Sequence, residues 1–399
     1  MNPTKRIGLY AENGILKKDG KPFSALGVNY LGLFYDALSR GFDVRRGLEG
    51  MEVLAEYGVK LIRVPVNSTY NLENLKLYFS HRDEWFGVLD EIVGKAEKLN
   101  IGLLCSFFWS ERVIPEYFGE EVGKSMRDGN SRSSEYMREY IREFIGRYGE
   151  SEAVWGWEYG NEIMLEAQLP ARAWKDERKL FGCDDIISLY GRFVDTIEKY
   201  DRHGRFIGSG DAGLRPCAYH SYKEDSWQSD TRGQQLEMMS VLYPMEGISW
   251  HEYSNTVMRL NEPEMMPKRA ICRFDESENE DGIVYRTWAE YMRYLKRTAE
   301  NIGKVAYIGE TGFTYADASR RLTYSECRAM VDAISRAALE EGFPLTLFWN
   351  YDPYTDEIES KYDMSGTGWD ESWNERWTVG KATLDSVREY NRLIEKNFA

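Results

Sequence analysis

Val59-Lys60-Leu61-Ile62-Arg63-Val64-Pro65-Val66 is an almost unbroken apolar run, and an amphipathic stretch from about Glu84 to Leu99 follows it. A strand with one wet face alternates apolar and polar residues, whereas a strand covered on both faces does not. The run therefore reads as a parallel strand inside a sheet, and the following helix is its cover. The same pairing recurs along the chain. Upstream, Ser24 to Asn29 precedes a helical stretch from Val44 to Tyr57. Downstream, Ile101 to Phe108 precedes Ser134 to Tyr148, and Ala153 to Tyr159 precedes Asp184 to Tyr200.

The second half repeats the scheme. Arg205 to Gly208 is followed by a weaker helix around Gly233 to Val241, and Gly247 to Trp250 by Thr287 to Ile302. Val305 to Gly309 leads to Ser325 to Glu341, and Leu345 to Trp349 leads to Leu384 to Lys396. Eight strand–helix units fit a closed (β/α)8 TIM barrel of the α/β class better than a doubly wound sheet. Residues 1–399 are thus expected to form one barrel domain. Residues 1–24 carry the Asp-Gly hairpin signal Lys18-Asp19-Gly20-Lys21 and are expected to plug the barrel floor.

The connections after strands three, four, six and eight are long, and in such barrels those loops build the functional face. The last, 350–380, is expected to be an aromatic-rich active-site loop with Tyr351, Tyr354, Trp369, Trp373 and Trp377. The whole chain holds 12 Trp, 27 Tyr and 17 Phe. That is more than a core needs, so some rings are expected to line an open cleft, where sugar faces stack well.

A formal net charge of −15 repels nucleic acid and anionic membranes, so the expected partner is a neutral substrate. The five cysteines are scattered without a CxxC pair, which argues against a disulfide framework and a structural zinc site. No apolar run follows the charges at the start, and the apolar stretches are too short to span a bilayer. A cytoplasmic location is the expectation. The sequence does not specify an oligomeric state.

Two carboxylates stand at predicted strand ends. Glu162 closes Trp155-Gly156-Trp157-Glu158-Tyr159-Gly160-Asn161-Glu162, and Glu310 closes Val305-Ala306-Tyr307-Ile308-Gly309-Glu310. A carboxylate there is costly unless it is paired or at work. Strict alternation turns Asn161 and Glu162 to opposite sides, so a bulge is expected between them.

These residues, taken in order, resemble the retaining glycoside hydrolases of clan A, and within it family 5, the cellulase and mannanase type. The resemblance runs from the opening hairpin to strand eight. It rests on Arg63 in strand two, Asn161-Glu162 ending strand four, and His251-Glu252-Tyr253 after strand six. Gly309-Glu310-Thr311-Gly312 ending strand seven and Trp349 ending strand eight complete it.

The resemblance implies that Glu162 is the acid/base and Glu310 the nucleophile of a double displacement, with carboxyls about 5–5.5 Å apart. It implies that Arg63 and Tyr253 orient an ionised Glu310 and that Asn161 binds the sugar 2-hydroxyl. His251 would set the hydrogen bonds beside the acid, and Trp349 would floor the reacting sugar's subsite. No metal or cofactor is implied. Trp109, where many members carry His, looks more like the mannan-active branch. The expected activity is therefore exo-β-mannosidase, with endo-β-1,4-mannanase or endo-β-1,4-glucanase as alternatives. Outside this class, a catalytically inactive carbohydrate-binding barrel would need one of the two Glu replaced, and both are present. A metal-dependent barrel hydrolase would need clustered His ligands at strand ends, and only His251 is placed there.

Gly208-Ser209-Gly210-Asp211-Ala212-Gly213 matches a dinucleotide fingerprint, but Leu214-Arg215-Pro216 follows instead of a helix. It reads as a turn near the site, with Asp211 a candidate sugar ligand. The acidic run Asp275 to Asp281 lacks calcium-loop spacing and reads as a solvated loop.

Overall fold

The computed structural model describes residues 6–170, 180–255, 287–314, 323–351 and 380–398. Within them, β4 (Ala25–Asn29), β5 (Leu61–Pro65), β6 (Gly102–Phe108) and β7 (Val154–Gly160) form the first half of a barrel. The second half is β8 (Phe206–Gly208), β9 (Gly247–Asn255), β10 (Val305–Thr314) and β11 (Leu345–Phe348). All eight pair in parallel, and β11 closes the ring onto β4. Every residue of β4, β5, β6 and β7 is buried, as continuous apolar runs require.

Fourteen helices are described. α1 (Gly32–Ser39), α2 (Arg45–Glu56), α3 (Leu72–Ser80) and α4 (Arg82–Leu99) surround the first strands. α5 (Val113–Phe118), α6 (Val122–Arg127), α7 (Arg132–Tyr148), α8 (Met164–Ala167) and α9 (Cys183–Tyr200) follow. The rest are α10 (Ala218–Glu224), α11 (Arg232–Leu242), α12 (Trp288–Glu300), α13 (Tyr324–Glu340) and α14 (Lys381–Phe398). The eight helices expected from periodicity are all there. The short ones between them lie in the connections, too brief to show a 3.6-residue period. α11, α12 and α13 each open with a capping box, Thr231–Gln234, Thr287–Glu290 and Thr323–Glu326, which satisfies two orphan N–H groups per helix.

The floor plug has three strands rather than the two of a simple hairpin. β1 (Leu9–Glu12), β2 (Ile15–Lys18) and β3 (Lys21–Pro22) pair antiparallel in order. The first turn is Asn13-Gly14 and the second Asp19-Gly20, with all four residues at positive φ. Two consecutive left-handed residues suit the right-handed twist of a tight hairpin. Leu9 and Leu16 then pack beneath Leu61, Leu104, Phe206, Tyr307 and Leu345, which close the lower barrel. The Phe23 ring meets Trp155 edge-on at 5.5 Å. No helix among the described residues is long and apolar enough to cross a membrane.

Candidate active site

Arg63 lies at the centre of the upper barrel and is completely buried. A guanidinium carries five N–H donors in a planar fork, and every one is engaged. Nε donates to Glu158 Oε1 at 2.6 Å. Nη1 donates to Asn29 Oδ1 and to Glu310 Oε1, both at 2.9 Å. Nη2 donates to the Gly160 carbonyl at 2.9 Å and to Asn161 Oδ1 at 3.0 Å. Burial opposes the charge, but Glu158 and Glu310 more than offset it, so Arg63 stays protonated. Glu158 is itself held at both oxygens: Ser106 Oγ donates to Oε1 at 2.8 Å and the Tyr307 hydroxyl to Oε2 at 2.9 Å.

Glu310 is buried beside this fork. Its other oxygen, Oε2, accepts from the Tyr253 hydroxyl at 2.7 Å. Burial raises the Glu310 carboxyl above its usual range, although Arg63 and the Tyr253 hydrogen bond favour the ionised form. Glu162 is more open, with 27% of its side chain exposed. His251 Nδ1 lies 2.8 Å from Glu162 Oε1 and 3.5 Å from Glu310 Oε2, so one ring stands between the two carboxyls. Burial holds His251 down to about 4, so the ring is neutral at ordinary pH.

The way Glu162 reaches this place differs from the expected bulge. β7 does bulge, but at its lower end, between the pairs Leu103–Val154 and Leu104–Gly156. At its upper end Glu162 instead takes a left-handed conformation, φ 53°, which costs a non-glycine residue roughly 1–2 kcal/mol. The Glu162 amide is tied to the Gly210 carbonyl at 3.1 Å. Gly210, at φ 73°, sits so tight that a Cβ would stand 1.9 Å from the Gly160 carbonyl. Gly210 therefore serves close packing between the ends of β7 and β8, whereas Gly208 leaves room for the Tyr307 hydroxyl and Gly213 for the Trp250 ring. Asp211 is not a sugar ligand. It is buried, accepting from the Met164 amide at 3.0 Å and the Tyr190 hydroxyl at 2.6 Å, and burial pushes its carboxyl up to about 7.

Three rings frame the mouth. Trp109 stacks on Trp349 with centroids 6.0 Å apart and lies under the Arg63 guanidinium at 4.7 Å. Its indole N–H donates to Ser106 Oγ at 2.7 Å, which fixes the ring. Tyr70 meets Trp109 edge-on, and its hydroxyl accepts from Asn161 Nδ2 at 3.0 Å. A cleft of about 470 Å³ opens here, lined by Tyr70, Trp109, Asn161 and Glu162 together with Arg112 and Glu166.

All eight expected site residues, Arg63, Trp109, Asn161, Glu162, His251, Tyr253, Glu310 and Trp349, gather at this upper end. Glu158, Asn29, Ser106, Tyr307 and Tyr70 belong to the same network and were not anticipated. A Glu in the middle of an apolar strand was the one available signal, since a buried carboxylate needs a cation. The aromatic loop residues Tyr354, Trp369, Trp373 and Trp377 and the acidic run 275–281 lie outside the described residues.

Glu162, His251 and Glu310 bring donor atoms within 4.8 Å of one another, which is also the donor set of a metal site. The Arg63 charge 2.9 Å from Glu310 opposes a cation there, and Tyr253 occupies the second oxygen. The same closeness suits a different task. A nucleophile–acid pair that acts through a covalent intermediate stands about 5–5.5 Å apart, whereas a pair that must admit water between stands about 6.5–9.5 Å apart.

The model of the cellulase family, glycosyl hydrolase family 5, matches residues 33–355. A protein of Aspergillus clavatus named "Probable mannan endo-1,4-beta-mannosidase A" is 22% identical over 204 residues, which are 47% of this chain and 52% of that protein. The match thus spans about half the length of that relative. Among solved structures, the endo-β-1,4-mannanase from Thermotoga petrophila overlays with TM-score 0.61 at 15% identity, covering 96% of this chain and 79% of that one. A family 5 mannosidase from Rhizomucor miehei overlays with TM-score 0.62 at 15% identity, covering 99% of each chain.

Proposed function

The chain belongs to glycosyl hydrolase family 5 and is a glycoside hydrolase; from that premise we propose that it cleaves β-mannosides with retention of configuration, through Glu310 and Glu162. The observation that carries this reading is the spacing of the pair, within 4.8 Å with His251 between. In the first step a Glu310 oxygen bonds to the anomeric carbon while the glycosidic bond breaks, and the Glu162 proton passes to the departing oxygen. In the second, Glu162 takes a proton from water, whose oxygen bonds to the anomeric carbon as the Glu310 ester bond breaks. Arg63 and Tyr253 keep Glu310 ionised and aimed. One proton for two close carboxyls is what their mutual repulsion favours.

Mannose as the reacting sugar is supported by the mannan-acting names of the relatives and by Trp109 where many family members carry His. Asn161 has one amide hydrogen on Tyr70 and its oxygen on Arg63, so its second amide hydrogen serves the sugar 2-hydroxyl. Trp349 floors that sugar. A neutral oligosaccharide is the substrate class, and release of single mannose units from a chain end is the finer form of this reading. Cleavage within a chain is its rival, supported equally by the endo-acting names of the Aspergillus relative and the Thermotoga enzyme.

Aryl β-mannoside, β-glucoside and β-galactoside, followed by mannotetraose and cellotetraose, separate these readings. Turnover of the mannoside, with mannose as the first product from mannotetraose, supports exo action. Mannobiose as the first product from mannotetraose supports endo action, and preference for glucosides removes the mannoside assignment.

A further inference from the structure

Nε2 of His251 and Oγ of Ser249, both inside the barrel, have no hydrogen-bond partner among the described residues. His251 is 6% exposed and Ser249 0%. They occupy alternate positions on β9, so both point inward, and they face Gly309 on β10. β10 carries a bulge at Gly309, between the pairs Ile308–Trp250 and Glu310–His251. A Cβ on Gly309 would stand 2.3 Å from Ser249 Oγ and 3.0 Å from His251 Nε2. The two atoms therefore border one small space that glycine leaves open.

What Nε2 does decides what Nδ1 does. A neutral imidazole has one N–H, and its position is set by the partner of the other nitrogen. With the hydrogen on Nδ1, the ring donates to Glu162 Oε1 at 2.8 Å, and the acid's proton must reside on Oε2. With the hydrogen on Nε2, the bare Nδ1 draws the Glu162 proton onto Oε1 and ties it to the ring. Only the first arrangement leaves the acid free to donate. Glu310 at 3.5 Å from Nδ1 also repels a bare lone pair there. Arg63 and Glu158 are the other charged groups acting on the ring.

Resting on Glu162 as the acid/base, we propose that Ser249 is a positioning residue for the proton-transfer step: its hydroxyl, turned about the Cα–Cβ bond, donates to His251 Nε2 beside Gly309 and holds the ring in the Nδ1–H form. The network thus runs Ser249 to His251 to Glu162, and it determines which oxygen of the acid carries the proton. Gly309 is part of it, because any side chain there would fill the space.

The test compares wild type with Ser249→Ala on two substrates of the preferred sugar, its β-1,4-linked disaccharide and its 2,4-dinitrophenyl glycoside. The disaccharide needs a proton for its leaving group, and dinitrophenolate departs without one. The expected result is a fall in kcat/KM of about 10-fold or more on the disaccharide, a fraction of a full acid's contribution, with less than about a 2-fold change on the dinitrophenyl glycoside. Equal losses on both substrates, or no loss on either, overturn the proposal. Nitrogen-15 spectra of wild type, with His251 assigned by its absence in His251→Asn, read the tautomer directly. A proton on Nδ1 is expected, and one on Nε2 overturns the proposal even where Ser249→Ala fails to fold. If wild type hydrolyses neither substrate, the reading of the site fails, and the spectra still judge the tautomer separately.

Discussion

Arg63 Nη1 and Glu310 Oε1 are 2.9 Å apart, both buried, and the same guanidinium reaches Glu158 through Nε at 2.6 Å. One cation thus stabilises two buried carboxylates on β7 and β10, three strands apart around the barrel. Glu158 is locked by Ser106 and Tyr307, so it anchors Arg63, and Arg63 in turn presents Glu310.

Replacing Arg63 with Met leaves both carboxylates uncompensated. Removing one partner of a buried pair costs about 3–5 kcal/mol, so chemical denaturation of Arg63→Met should show a loss of that size. Its kcat/KM should fall at least about 100-fold, as expected when a preorganised charge partner is lost.

Tyr253→Phe removes a donor to ionised Glu310. Hydrolysis requires Glu310 ionised, so activity is lost as pH falls through its pKa. Without the hydrogen bond the raised carboxyl moves higher still, and the acidic limb of the kcat/KM profile shifts to higher pH. A hydrogen bond to a charged group contributes about 1.5–3 kcal/mol, so the shift should be about one pH unit or more. A limb that stays in place removes Tyr253 from the control of Glu310.

Glu162→Ala separates the acid from the nucleophile. On an oligosaccharide, kcat/KM should fall by about 10²–10⁴-fold, while a dinitrophenyl glycoside should retain most of its glycosylation rate. Added azide should then enter the vacated space and yield the β-glycosyl azide, which proton NMR identifies. An α-azide would reverse the stereochemical assignment.

The floor plug makes a separate claim about stability. Leu16 is 1% exposed beneath the barrel, and Leu16→Ala should cost about 2–5 kcal/mol, read as a lower denaturation midpoint. Turnover below the melting range should be unchanged, because the site occupies the opposite end of the barrel.

The barrel was legible because each strand is buried on both faces and writes itself as an apolar run of its own. The candidate pair was legible because Glu162 and Glu310 end such runs, where a carboxylate is costly. Less was visible wherever the period failed. β3 is two residues long and α8 four, too short to carry any pattern. The Asn13-Gly14 turn signal was present, yet the strands flanking it are only four residues each. Ser106 and Tyr307 gave no sign because a continuous run hides which residues face inward. Glu162 swings into place through a left-handed turn tied to Gly210, just past the end of β8, and such long-range packing has no local signature.

The central claim is that Glu310 forms a covalent bond to the sugar. Incubation with 2-deoxy-2-fluoro-β-mannosyl fluoride, or the glucosyl analogue if glucosides are preferred, followed by peptide mass spectrometry, tests it most directly. The account predicts one adduct per chain, on the peptide carrying Glu310 and absent in Glu310→Gln. An adduct on Glu162, or a fully active enzyme that acquires none, would contradict it.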